Sequence, residues 1–323
     1  MSPSTAPDEP SPKTAAASAR FPIRVAAIDV GSNAIRFVAA EFHDETHHTE
    51  LATERAPVRL GHSAFVDGEL DDAAMDAAAG AFRRFRASID ELGITSVRAV
   101  ATSAVRESRN GPAFVERIKS ETDITLGLIS GSEEARLVWT AVRQRIALGT
   151  NKWMLVDLGG GSVEVSLADD AGILWSESHT MGSVRLLEEL AGADDAPGHF
   201  SSLLAQYAAT LRIPAAAKHW TPVELIATGG SIVALARLAG RETESGEVLV
   251  ITRDDLRGAI DVLSGLSYAE RVDRLGLRED RADVILPAAI VYDRVAELAG
   301  AERIFVPCVG VKEGVLLDLV DEQ

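Results

Sequence analysis

Twice along the chain a run of apolar residues ends on an aspartate, turns through glycine and resumes as a second apolar run. The first is Arg24-Val-Ala-Ala-Ile-Asp-Val-Gly-Ser-Asn-Ala-Ile-Arg-Phe-Val-Ala-Ala-Glu41, and the second is Trp153-Met-Leu-Val-Asp-Leu-Gly-Gly-Gly-Ser-Val-Glu-Val-Ser-Leu167. Short β-branched runs bounded by glycine predict strand, tight turn, strand. Asp29 and Asp157 lie 128 positions apart, and that offset sets Gly31 on Gly159, Ser32 on Gly160 and Arg36 on Glu164. A second pair of runs, Val97–Ala104 and Glu224–Gly230, closes on Ala-Thr and two small residues; Thr102 and Thr228 are 126 apart. Two motifs at nearly one offset imply two similarly built halves rather than a short-period solenoid.

Elsewhere the period is three and four. Met75, Ala78, Phe82, Phe85, Ile89 and Leu92 predict an amphipathic helix that stops at Gly93, and further helices are predicted over 112–121, 133–148, 184–191, 201–211, 232–238 and 254–263. A helix over 282–298 contains Pro287, which lacks an N–H and should kink or split it. A strand over 303–309 and a closing helix over 311–320 complete the chain. Strands alternating with helices predict α/β layers with mostly parallel sheets. With aspartate–glycine hairpins heading both halves, the expected fold is two duplicated actin-like domains, of the acetate and sugar kinase/Hsp70/actin type with ribonuclease H-like sheets, flanking a central cleft. Their expected bounds are 21–148 and 149–310, with the helix from 311 returning to the first. Residues 1–20, rich in Ser, Pro and Ala, read as a disordered tail rather than a signal peptide.

Charge narrows the choice of partner. Against 49 acidic side chains the chain has 32 Lys and Arg, a formal net charge of −17, which argues against a general nucleic-acid surface. A polyanion would have to be held locally, by metal, backbone amides and a few arginines. No apolar stretch reaches the ~18 residues of a membrane span. The single cysteine, Cys308, excludes an intramolecular disulfide and fits a reducing cytoplasm; its apolar neighbours predict a buried structural thiol.

Phosphoryl transfer needs oxygen-binding donors, charge neutralisation and a group that positions the nucleophile. Successive glycines admit φ > 0 and close approach of a ligand to main-chain N–H groups, although a plain hairpin turn capped by an acid uses the same residues. Candidate donors are Gly31, Ser32 and Asn33; Gly159, Gly160, Gly161 and Ser162; and Gly229, Gly230 and Ser231. Asp29 and Asp157 are candidates to hold Mg²⁺, with Mn²⁺ as the alternative, and Glu164 is a third metal candidate. Arg36, Arg106 and Arg109 are candidate phosphate ligands, and Arg106 is favoured because it follows the end of a predicted parallel strand. In Ser130-Gly-Ser-Glu133 the serine and glutamate fit a capping box, which accounts for Glu133 and leaves Glu134 free to face the cleft as a general base. Arg136 is expected beside it, as a neighbour or as a phosphate ligand.

Ala27-Ile-Asp-Val-Gly-Ser-Asn33 with Arg36, Ala101-Thr-Ser-Ala-Val-Arg106, Ile129-Ser-Gly-Ser-Glu-Glu-Ala-Arg-Leu137, Asp157-Leu-Gly-Gly-Gly-Ser-Val-Glu164 and Thr228-Gly-Gly230 resemble, in order, the motif series of the exopolyphosphatase/guanosine pentaphosphate phosphatase family. The resemblance implies Mg²⁺-dependent hydrolysis of a terminal phosphoanhydride, with inorganic polyphosphate as substrate and guanosine pentaphosphate (pppGpp) as the alternative. It assigns catalysis to Glu134 and associates Asp157 with the metal. Ala34, Val163 and Lys312 depart from the usual residues without removing an acid. The chain stops soon after the motif near Gly314, whereas long members continue into helical domains, so long-chain processivity is not expected. A cytoplasmic homodimer is the expected assembly. A kinase or ATPase on the same fold, or a polyphosphate or alarmone sensor without turnover, are the rival readings.

Overall fold

The computed structural model describes residues 20–190, 199–212, 224–242 and 246–323; nearly all of the expected tail, 1–19, lies outside them. Strands β1 (Ile23–Val30), β2 (Ile35–Phe42), β3 (His48–Ala56), β4 (Ser96–Ala101) and β5 (Leu126–Leu128) form one sheet in the order β3-β2-β1-β4-β5. Strands β6 (Trp153–Leu158), β7 (Val163–Asp169), β8 (Gly172–His179), β9 (Leu225–Thr228), β10 (Arg241–Glu242), β11 (Leu249–Thr252) and β12 (Arg303–Val306) form the other, β10-β11-β12-β9-β6-β7-β8. Counted from β8, the second sheet repeats the first: an antiparallel three-stranded meander, then two parallel strands, β9 and β12. Antiparallel β11 and β10 extend its edge. This duplicated 3-2-1-4-5 order is the ribonuclease H-type sheet of actin-like proteins.

Helices are α1 (Gly61–Val66), α2 (Asp72–Glu91), α3 (Ser103–Glu107), α4 (Gly111–Thr122), α5 (Gly131–Arg143), α6 (Ser183–Leu190), α7 (His199–Ala208), α8 (Gly230–Ala239), α9 (Arg253–Ser264), α10 (Tyr268–Leu275), α11 (Glu279–Ala282), α12 (Ile285–Ala299) and α13 (Val311–Asp321). Continuous apolar runs in the central strands follow from burial on both faces. Ala26, Ile28 and Val30 of β1 pack outward with Phe82 and Phe85 of α2, whereas Val25 and Ala27 face inward. The inner cluster also takes Leu137 and Val138 from α5, Val315 and Leu319 from α13, and Leu155 and Ile226 from the second sheet. Helices α5 and α13 therefore fill the layer between the sheets. At Gly314 a Cβ would stand 2.1 Å from the Leu137 carbonyl oxygen, so these helices touch backbone to backbone. Each fully buried Phe contributes roughly 1.5–3 kcal/mol of transfer free energy to such clusters.

One expectation changes, one is met and one helix is new. Asp29 pairs with Val100 across β1 and β4, whereas Asp157 pairs with Thr228 across β6 and β9. Thr102 thus stands two residues further along its strand than Thr228, and Val100 is the true counterpart. The helix containing Pro287 splits ahead of it: α11 ends at Ala282 and α12 starts at Ile285, because the proline ring leaves no room for the carbonyl four residues back. Helix α10, capped by a Ser267–Glu270 capping box, was not expected from the sequence pattern.

Candidate active site

The turns after β1 and β6 meet face to face at the junction of the sheets. A Cβ on Gly160 would lie 2.9 Å from Ser32 Cβ, and one on Gly161 would lie 2.2 Å from Ser103 Oγ. None of Gly31, Gly159, Gly160 and Gly161 has positive φ; positive φ is confined to Gly229 of this set, at 106°. The Gly159–Gly161 run is therefore required by close approach, not by left-handed backbone, which corrects the sequence-based reason for it. Carbonyls of Gly159 and Gly160 accept N–H groups of Ser183, Val184 and Arg185 at 2.8–3.0 Å. On the opposite side of the strand of peptides, the N–H groups of Gly160, Gly161 and Ser162 donate to no acceptor among the described residues, and neither do those of Ser32 and Asn33. Gly230 and Ser231 open α8, where the first N–H groups have no intrahelical partner. Consecutive unpaired amides of this kind suit an anion.

These turns border a cavity of about 500 Å³ lined by both halves. Asp29, Asp157 and Glu134 reach its wall. Asp29 is ion-paired with Arg36 at 3.1 Å, its partner in the β1–β2 register. Asp157, at the same place in the second sheet, accepts a 2.5 Å hydrogen bond from Thr228 Oγ1 and has no cation within ion-pair distance among the described residues. Burial pushes both aspartates above the usual carboxylate range; Arg36 opposes this at Asp29, and Thr228 opposes it at Asp157.

Glu134 lies at the start of α5, 5% exposed. Ser130 caps this helix by accepting the Glu133 N–H, but the return bond of a capping box is replaced: the Glu133 carboxylate is taken by Arg136, which also binds Asp318 of α13. Arg136 is thus a clamp between α5 and α13 and does not line the cavity. Glu134 Oε1 accepts from Arg106 Nη1 at 2.8 Å, and the same nitrogen donates to the Ile129 carbonyl. Burial, then the neighbouring Glu164 charge, raises the Glu134 carboxyl well above its ordinary value, against Arg106. Glu164, 2% exposed, accepts from Ser178 Oγ at 2.7 Å while its Oε2 has no partner; burial and the Asp157 charge push it up to about 7.

Of the sequence candidates, Gly31, Ser32, Asn33, Arg36, Gly159, Gly160, Ser162, Gly229 and Gly230 line the cavity with the three acids. Gly161, Glu164 and Ser231 sit directly behind that wall, and Arg106 reaches it only through Glu134. Arg106 therefore orients the acid instead of presenting its guanidinium to the cavity. Arg109 is directed elsewhere, to Glu69 and the Asp67 carbonyl. Asn33 donates to the Asp280 carbonyl at 3.0 Å, stitching the first turn to the second half. Among the described residues no three His, Cys, Asp or Glu side chains form a metal-holding group, so Asp29, Asp157 and Glu164 do not converge as one ligand set. Cys308 is exposed and lines the cavity, contrary to its expected burial.

Sequence reasoning missed a buried cation of the site. Arg281, on the short helix α11, is 6% exposed, donates to Ser231 Oγ at 2.6 Å and forms no ion pair among the described residues. Burial, then repulsion from Arg36, lowers its guanidinium to about 10. A Cβ on Gly230 would meet both Arg281 and Arg36, at 2.3 and 3.2 Å. Two guanidinium groups thus crowd one turn, Arg36 ion-paired with Asp29 and Arg281 in no ion pair among the described residues, which leaves positive charge for an anion. No local pattern marks Arg281, which stands among charged residues in Arg278-Glu-Asp-Arg-Ala-Asp283. Beyond the cradle the cavity wall becomes apolar, with Val233, Ala234, Leu275, Leu277 and Val309.

Residues 40–323 match the Ppx/GppA phosphatase family. Exopolyphosphatase 1 of Mycobacterium tuberculosis is 27% identical over 308 residues, 93% of this chain and 89% of that protein. A crystal structure of an exopolyphosphatase from Cytophaga hutchinsonii superposes with a TM-score of 0.85 at 28% identity, covering 93% of this chain and 98% of that one. The Aquifex aeolicus Ppx/GppA family member shares the fold, with a TM-score of 0.75 at 23% identity over 93% and 98% of the two chains.

Proposed function

The chain belongs to the Ppx/GppA phosphatase family, and from that premise we propose that it is an exopolyphosphatase, releasing orthophosphate from the end of an inorganic polyphosphate chain. The observation that carries this reading is Glu134: a buried carboxylate held by Arg106 at the edge of a cradle of unpaired amides and guanidinium groups. The amides of Gly160, Gly161 and Ser162, with those of Ser32 and Asn33, donate to nonbridging oxygens of the terminal phosphates. Arg36 and Arg281 bind the next phosphate. Water attacks the terminal phosphorus; a P–O bond forms, the bridging P–O bond breaks, and the shortened chain leaves with that electron pair. Glu134 takes the proton of the attacking water. Burial and the Glu164 charge raise its pKa, which strengthens it as a base.

A divalent cation is expected at Asp157, whose buried carboxylate lacks a protein cation and has one donor, Thr228. One carboxylate plus substrate oxygens and water suits Mg²⁺, with Mn²⁺ as the alternative. When bound, it supplies charge neutralisation to the terminal phosphates.

Guanosine pentaphosphate is the second reading, supported by the apolar wall past the cradle, which offers a surface for a nucleoside. Phosphate release from polyphosphates of defined length and from guanosine pentaphosphate, each with wild type and Glu134→Gln, tests both. Equal release by wild type and variant would overturn the hydrolytic role of Glu134. Transfer of phosphate to an acceptor other than water would point to a kinase.

A further inference from the structure

The Gly159–Ser162 turn is backed by a segment with no role in the reading above. Gly159, Gly160 and Gly161 all turn their carbonyl oxygens toward the start of α6, where they accept hydrogen bonds of 2.8–3.0 Å from the N–H groups of Ser183, Val184 and Arg185 and from Arg185 Nε. In a planar trans peptide the C=O of one residue and the N–H of the next point opposite ways. Fixing three carbonyls against α6 therefore turns the amides of Gly160, Gly161 and Ser162 away from it. The fit is tight: a Cβ on Gly182 would lie 2.3 Å from the Gly160 and Gly161 backbone.

The Gly161 oxygen is held by a side chain, Arg185 Nε at 2.9 Å, as Ser183 Oγ supplements the backbone bond to Gly159 at 3.3 Å. The same guanidinium donates from Nη2 to Glu107 at 2.5 Å and lies over the Phe65 ring at 4.0 Å. Phe65 belongs to α1 and Glu107 to α3, both in the first half. One planar group thus uses an edge nitrogen on the phosphate turn, a second nitrogen on an acid of the opposite half, and its face on an aromatic ring there. A lysine has one point of charge and cannot make all three contacts at once.

We propose that Arg185 is the positioning residue of the phosphate cradle: it sets the Gly161–Ser162 peptide plane, and its contacts with Phe65 and Glu107 make that setting depend on the two halves being closed on each other. This rests on the reading of the turn as a phosphate site. Affinity for inorganic tripolyphosphate, measured by calorimetry, and turnover are compared in wild type, Arg185→Met, Arg185→Lys and Phe65→Leu. Arg185→Met is expected to weaken binding ~10-fold, Arg185→Lys to recover little of it, and Phe65→Leu to weaken it ~3-fold. Added methylguanidinium is expected to restore turnover to Arg185→Ala, a rescue that lost packing alone would not show. Arg185→Met binding within twofold of wild type would overturn the proposal. Should that variant not fold, wild-type affinity in both Phe65→Leu and Glu107→Gln would do the same. A wild type that binds tripolyphosphate without releasing phosphate removes the hydrolase reading and leaves this one standing. One that hydrolyses normally while Arg185→Met binds equally well does the reverse.

Discussion

The turns after β1 and β6 hold equivalent places in duplicated sheets, yet their surroundings have opposite charge. Opposite Asp29 the register places Arg36; opposite Asp157 it places Glu164. The first half therefore contributes a neutralised acid, and Arg281 of the second half adds a further cation beside Arg36. The second half delivers buried acids, Asp157 and Glu164, that lack ion-pair partners among the described residues; the Asp157 charge raises the proton affinity of Glu164, and Glu164 in turn raises that of Glu134. Duplication supplies the geometry twice, and a single cross-strand position, Arg in one half and Glu in the other, gives the two turns opposite charge.

The sharpest way to break that comparison is at the base. Glu134→Gln should lower kcat for phosphate release by ~10³-fold while leaving tripolyphosphate affinity intact. An activity loss that instead tracks weaker binding in calorimetry would move Glu134 to the holding side. Next in size, Asp157→Asn should cost ~10²-fold in kcat and raise the Mg²⁺ concentration needed for half-maximal rate, whereas Asp29→Asn, which frees Arg36, should cost less than ~10-fold. Kinetics titrated with metal in which Asp29→Asn is the more damaged would invert the assignment of the two turns. On the cationic side, Arg281→Met should raise KM ~10-fold with little change in kcat. A kcat effect without a KM effect would take Arg281 out of substrate binding.

The smallest effects concern protons. Since a general base acts deprotonated, the rate should rise with pH, with its acid limb near the pKa of the Glu134–Glu164 pair. Glu164→Gln removes a negative neighbour, lowers the Glu134 pKa and should move that limb to lower pH; a limb that stays in place would deny the coupling. Stability runs the other way. Because the folded-state pKa of Glu164 is raised to about 7, its contribution is fully favourable below its unfolded value and is lost as pH climbs through 7. Glu164→Gln should therefore stabilise the fold at pH 8, by on the order of 3 kcal/mol, and not near pH 4. Denaturant melts at the two pH values give the check.

Much of the fold was legible because the signals are short-range. Alternation and apolar runs mark the central strands, though not β3, β8, β10 and β11, Asp-x-Gly marks both turns, and the 128-residue offset pairs Arg36 with Glu164. Glu134 was reachable because a helix start fixes which of two adjacent acids the cap leaves over. The reason for the three glycines was not, since φ and close approach both call for glycine, and only the packing of Ser32, Ser103 and Phe65 against them distinguishes the two.

What the chain determined by itself is where backbone hydrogen bonds and apolar faces repeat, because strand and helix periods act over a few residues. Charge pairing and burial act through space, so only the folded molecule decided that Arg106 serves Glu134 and Arg136 serves Glu133 and Asp318. It also decided that Arg281 comes to the Gly230 turn with no ion-pair partner among the described residues, and that Arg185 spans the two halves. Those assignments depend on which segments the duplicated sheets bring together across the cleft and on the water they exclude there.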